Sequence, residues 1–156
     1  MKILIISDSH GNRKVIDEAL RKESDADITV HAGDGWEDIR EDEVRRLIRV
    51  PGNCDRGATG DRIRFFEAGG VRFMLTHGDA FRVSYGTGRL VREARERGCD
   101  AVIFGHTHRS VISEEDGIIL INPGTSSRSR SMDGKYGYAV AEADGGRIIS
   151  AEIICL

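Results

Sequence analysis

Short apolar runs that stop abruptly in polar clusters constrain this chain more than any other feature. Lys2-Ile-Leu-Ile-Ile-Ser7 is almost continuously apolar, which suits a strand covered on both faces. Asn12 follows as a candidate helix cap, and Val15, Ile16, Ala19 and Leu20 form one stripe among Arg, Lys, Asp and Glu. The pattern then predicts a strand over residues 28–32, a polar helix over 37–46 and a third strand over 47–50. Strand–helix–strand–helix–strand is how parallel strands with crossover helices read.

The second half changes character. Runs at 62–67 and 71–76 flank Ala68-Gly69-Gly70, which reads as a hairpin. Residues 87–97 look helical, with Leu90, Val91 and Ala94 inward and Gly98 just past the end. A buried strand is expected over 101–104, and further hairpins over 111–113 with 118–121 and over 138–143 with 147–153. Parallel units first and hairpins later predict an α/β fold of two mixed sheets packed together with helices outside. No repeat or Pro/Gly-rich linker divides the 156 residues, so one domain spanning 1–156 is expected.

Composition removes several function classes. Lys+Arg 23 against Asp+Glu 26 leaves a net charge of −3, so no bulk positive field draws the protein to nucleic acid or anionic lipid. No apolar run approaches the ~20 residues that cross a bilayer. Met1 leads straight into the first strand with no cationic leader, so a cytoplasmic protein is expected. Cys54, Cys99 and Cys155 are too few and too widely spaced for a disulfide framework or a thiolate zinc site. Cys99 and Cys155, in apolar surroundings, read as buried small hydrophobes.

What stands at the carboxyl end of each strand carries the chemistry. The clusters are Ser7-Asp8-Ser9-His10-Gly11-Asn12, His31-Ala32-Gly33-Asp34, Pro51-Gly52-Asn53-Cys54-Asp55, Thr76-His77-Gly78-Asp79 and Gly105-His106-Thr107-His108. In open α/β sheets ligands bind outside the carboxyl ends of strands, so loops distant in sequence can build one site there. Histidines, carboxylates and an amide suit Mn, Fe, Zn, Ni or Co, and there are enough of them for two ions. In an extended segment residues i and i+2 face the same side, so Asp8-x-His10 and His106-x-His108 could each offer two side chains to one cavity. Glycines at 11, 33, 52, 78 and 105 allow sharp turns or close approach to a ligand. His31, inside its strand, reads as structural or as support for a ligand. Asp55 and Asp79 could orient ligating groups or cap loops, and Trp36 could line the mouth of the site or cover a helix end.

The set resembles the calcineurin-like metallophosphoesterases, and more closely their small single-domain phosphodiesterases from bacteria and archaea. The likeness runs from the Ser7–Asn12 cluster to Asn122-Pro123-Gly124-Thr125. It implies a four-layer αββα sandwich with a two-metal centre. Asp8, His10 and His108 would hold one ion, Asn53, His77 and His106 the other, and Asp34 would bridge them. The loop at Asn122-Pro123-Gly124 would act through its backbone turn rather than as a ligand. Many relatives carry a histidine after Gly-Asn that protonates the leaving alcohol; here that position is Cys54, a poor acid with a thiol pKa of about 8.5.

The expected reaction is hydrolysis of a phosphate ester, most readily a diester, by in-line attack of a hydroxide shared by two divalent ions, manganese before Ni, Co, Fe or Zn. Asp34, Asn53 and His108 are the candidate catalytic residues, with Asn53 steadying the non-bridging oxygens. The leaving alcohol would take its proton from metal-coordinated water or a nearby histidine. Arg109, Arg128 and Arg130 could meet a second phosphate or a nucleotide, although Arg makes up 19 of the 23 basic residues throughout. The partners expected are a phosphate-ester substrate, nucleic acid only as a substrate, and a second copy of the chain in a homo-oligomer, with no membrane. The alternatives are a phosphomonoesterase or nuclease, or a catalytically silent interaction scaffold such as the family's member in the eukaryotic retromer complex.

Overall fold

The computed structural model describes residues 1–156. Strands β1 (Lys2–Ile6), β2 (Ile28–His31), β3 (Leu47–Arg49), β9 (Gly137–Asp144) and β10 (Arg147–Cys155) form one sheet, in the order β10-β9-β1-β2-β3. Strands β4 (Ile63–Ala68), β5 (Val71–Thr76), β6 (Ala101–Ile103), β7 (Ser110–Glu115) and β8 (Ile118–Pro123) form the other, in the order β4-β5-β6-β8-β7. β1, β2 and β3 are mutually parallel, as are β5, β6 and β8, and the hairpin partners run antiparallel.

Alternation along the strands explains the layers. Ile3 and Ile5 face Phe73, Leu75, Ile103 and Ile121 across the space between the sheets, in one core of buried residues. Their neighbours Leu4 and Ile6 face outward, where helix α1 (Arg13–Lys22) covers them with Ile16 and Ala19. Met74, Val102 and Leu120 on the second sheet are covered in the same way by Leu90, Val91 and Ala94 of helix α2 (Gly88–Glu96). The result is the αββα sandwich, and strands buried on both faces account for the unbroken apolar runs.

Hairpin turns at Gly69-Gly70 and Gly145-Gly146 have positive φ at both central residues, the geometry that matches strand twist. Three expectations are corrected. Residues 37–46 hold a single 3₁₀ turn, Glu41–Glu43, instead of a helix. Ile39 and Val44 stand five residues apart, too few and too far for a helical stripe, and Arg13 clamps Glu43 at 2.6 Å. Asn12 precedes α1 but its side chain makes no cap; its amide donates to the Ser126 carbonyl at 2.8 Å. Cys155, on an edge strand, is exposed, whereas Cys99 is buried.

Candidate metal centre

The carboxyl ends of β1, β2, β3, β5 and β6 converge on one edge of the sandwich, because the parallel strands of both sheets point the same way there. Asp8, His10, Asp34 and His108 present ligand atoms that all lie within 4.8 Å of one another. Asn53, His77 and His106 form an adjoining group, with Asn53 Oδ1 3.0 Å from both His77 Nε2 and His106 Nδ1. Asp34 stands between them, its Oδ2 3.7 Å from His10 Nε2 and 3.6 Å from His77 Nε2. All seven candidate ligands are thus brought together.

Each carboxylate is divided between two tasks. Asp8 Oδ2 accepts from the Ser7 hydroxyl at 2.5 Å and from the His106 amide at 3.0 Å. Its Oδ1 is buried with no hydrogen-bond partner. Asp34 Oδ1 accepts from the Cys54 amide at 2.8 Å, leaving Oδ2 to face the two histidines. The histidines complement this. His77 Nδ1 donates to the Ala32 carbonyl at 2.8 Å, and His108 Nδ1 donates to that of Arg130 at 2.9 Å. Each Nε2 is then a lone pair: that of His77 meets Asn53 Oδ1, and that of His108 meets the orphaned Asp8 Oδ1 at 3.0 Å. Acceptors facing acceptors, with a buried carboxylate oxygen lacking any donor, fit cations.

Backbone strain marks the same residues. Asp8 (φ 51°), His10 (47°), Asp34 (58°), His106 (69°) and His108 (53°) all lie in the left-handed region, as do only two other non-glycine residues, Arg82 and Asp116. Asp and His tolerate that region better than most, but it costs on the order of 1–3 kcal/mol each. Cross-links between loops hold it: the Asp8 amide donates to the Gly33 carbonyl at 2.9 Å, the His10 amide to that of Asp34 at 2.9 Å, and the Thr125 hydroxyl to that of Asp8 at 2.7 Å. This corrects the extended i, i+2 geometry expected for Asp8-x-His10 and His106-x-His108. The chain coils instead, and His106 and His108 diverge to different groups.

Two glycines are required by close approach. A Cβ on Gly52 would lie 2.1 Å from Asp34 Oδ1, and one on Gly105 would lie 2.5 Å from Asp8 Oδ2.

Proton affinities respond to this packing. Burial alone would raise the Asp8 carboxyl, but His108, His77 and the Ser7 hydroxyl together hold it below its usual value. Burial and then the charge of Arg130 lower His10; burial and then His77 lower His106. Both therefore favour the neutral form, the one a metal ligand requires. His108 moves up, because the Asp8 carboxylate stabilises its proton, and a cation there would compete with that proton. Burial, and then Asp34, push the Cys54 thiol up, which weakens it further as an acid.

His31 is buried and belongs to a relay that sequence reading missed. The Gly33 amide donates to His31 Nδ1 at 3.2 Å, so Nε2 carries the proton and meets Ser9 Oγ at 2.9 Å. Ser9 in turn donates to Asp38 Oδ2 at 2.5 Å, which also accepts from the Gly11 amide at 2.8 Å. The chain of bonds fixes the loop on either side of His10. Ser9 within Asp8-Ser9-His10 was its only sequence signal; nothing marked Asp38 among its acidic neighbours. Asp55 caps loops, accepting from the amides of Asp34, Trp36 and Gly52. Asp79 pairs with Arg62 at 3.1 Å and orients no ligand. Trp36 lines a cleft beside His10 and Asp34 while the Arg49 guanidinium stacks on its ring at 4.3 Å. Asn122 supports from below, donating to the Gly105 carbonyl at 3.0 Å.

The chain is similar to known proteins. The model of the calcineurin-like phosphoesterase superfamily domain matches residues 1–146. A probable metallophosphoesterase of Methanothermobacter thermautotrophicus is 34% identical over 162 residues, 99% of this chain and 92% of the relative. A protein named as a phosphodiesterase in Methanocaldococcus jannaschii is 29% identical over 148 residues, 80% of this chain and 83% of its own length. Among solved structures, a conserved uncharacterized protein from Streptococcus pneumoniae, described as a predicted phosphoesterase, superposes with a TM-score of 0.83 at 26% identity, covering 99% of this chain and 88% of that one. With the family model spanning nearly the whole chain, this protein belongs to the calcineurin-like phosphoesterase superfamily.

Proposed function

We propose that the protein is a metal-dependent phosphodiesterase with a two-metal centre. The observation that carries this reading is Asp34 Oδ2, set 3.7 Å and 3.6 Å from one histidine of each ligand group. Asp8, His10 and His108 would hold the first ion, Asn53, His77 and His106 the second, and Asp34 both. Bound divalent ions supply a water acidified from a pKa of 15.7 toward about 7 and a charge sink for phosphoryl oxygens.

The chain's own part is positioning and exclusion of alternatives. His77 and His108, locked by carbonyls through Nδ1, keep their Nε2 lone pairs aimed inward. Asn53 is exposed, and its amide N–H, 3.5 Å from Cys54 Sγ, is free to turn to a non-bridging phosphoryl oxygen. With Cys54 held protonated and weakly acidic, and His108 Nε2 committed to the first ion, the leaving alcohol takes its proton from solvent. An esterase of this kind favours good leaving groups.

The test is hydrolysis of mono-, di- and cyclic phosphate esters after metal stripping and readdition of Mn, Ni, Co, Zn or Mg. Manganese should restore the fastest rate, on diesters. Asp34→Asn should lower both metal content and rate, the latter on the order of a thousandfold. Wild-type activity and metal content in Asp34→Asn would overturn the assignment, and a silent interaction scaffold would show no metal-dependent rate with any ester.

A further inference from the structure

The candidate centre separates two clefts of opposite chemistry. One, about 490 Å³, runs from His10 and Asp34 past Trp36 to Asp55 and Arg56, and its walls are mostly polar. The other, about 570 Å³, opens at His106 and His108 and is walled by Val83, Phe104, Val111 and Met132, with Arg109 beside them. Both volumes fall in the range of small-molecule sites.

The apolar wall is built, not incidental. Met132 is 59% exposed and Val111 39%, so both show apolar surface to solvent within reach of a polar site. Their positions are pinned. The Met132 amide donates to the carbonyl of His108 at 3.1 Å. Next to it, Asp133 accepts from the Ser110 amide and hydroxyl, each at 2.8 Å, and from the Lys135 amide at 2.9 Å. The loop carrying Met132 is thereby tied to a candidate ligand on one side and to β7, which carries Val111, on the other. A thioether, two aliphatic or aromatic walls and a nearby guanidinium are the surroundings an aromatic ring prefers.

We infer that this second cleft is a subsite for an aromatic substituent on the phosphorus, the polar cleft taking the other arm of the ester. This rests on the phosphoesterase reading above and adds to it the class of substrate: a phosphodiester with one aryl or nucleobase-bearing side. Val111 and Met132 are its specificity-determining residues.

Phenylphosphonate and methylphosphonate, titrated calorimetrically into the manganese-loaded protein, separate this inference from the reading it rests on. The wild type should bind phenylphosphonate about tenfold more tightly, from burial of the ring. The double variant Val111→Ser/Met132→Ser, neutral and on exposed positions, should bring the two within about twofold and leave methylphosphonate unchanged, while Met132→Leu keeps the preference. Equal binding in the wild type, or a preference that survives the double variant, overturns the inference. If esters are hydrolysed but no phenyl preference exists, the subsite alone fails. If the preference follows Met132 and Val111 but no ester is turned over with any metal, the subsite stands and the hydrolase reading fails.

Discussion

The two halves of the centre are built from similar residues to different standards. The half around Asp8 has a fully buried carboxylate, an oxygen with no donor, and three candidate ligands in left-handed backbone. The half around Asn53 has a neutral amide on an exposed residue, and only His106 among its three candidate ligands is in that conformation. Only the first owns an anion; the second borrows the charge of Asp34. Charge and preorganisation both favour the first, so the proposed centre should fill in order, with the second ion depending on the first.

Replacing the anion breaks the contrast most severely. Asp8→Asn should weaken the first ion by at least about a hundredfold and the second with it, as metal content measured against free manganese would show. Asn53→Ala should cost the second ion about tenfold and leave the first in place, giving one equivalent where the wild type holds two. Equal losses from the two variants would remove the ordering. The glycines sharpen the comparison sterically. A Cβ at Gly105 pushes first on Ser7 and Asp8, whereas one at Gly52 pushes on the shared Asp34. The second should therefore lower both affinities and the first mainly one, each by roughly tenfold.

The smallest effect concerns stability. Burial pushes His31 down to about 4, so between pH 6.5 and 4 only the unfolded chain takes up its proton. Its contribution is complete above pH 6.5 and is lost as pH falls through that window, at up to about 1.4 kcal/mol per pH unit. Urea unfolding between pH 4 and 7 should therefore show a shallower slope for His31→Gln than for the wild type. An unchanged slope would mean that the buried ring is not the group responsible.

Much of the architecture was legible because its signals are local. Ile3 and Ile5 against Leu4 and Ile6 announce a strand covered on both faces, and Gly69-Gly70 announces a hairpin, whatever the rest of the chain does. The failures were local patterns overruled from a distance. Residues 37–46 read as a polar helix, yet Arg13 holds Glu43 and the Ser9–Gly11 loop holds Asp38. Asn12 had the chemistry of a cap, but the Ser126 carbonyl, 114 positions away, took its amide. Cys155 had apolar neighbours, but an edge strand has no layer beyond it. The coiled backbone at Asp8, His10, Asp34, His106 and His108 left no composition signal, since Asp and His also occupy ordinary turns.

From residue order alone came the donor types, their place at strand ends and the parallel strands that aim those ends one way. Chemistry and periodicity are written one residue at a time, so they survive without coordinates. Which lone pair meets which side chain, which carboxylate oxygen is spent on a backbone amide, and that His106 parts company with His108 were settled only when ten strands closed into two facing sheets. Those outcomes depend on ångström separations between loops up to 98 positions apart, and such separations are a property of the packed sandwich.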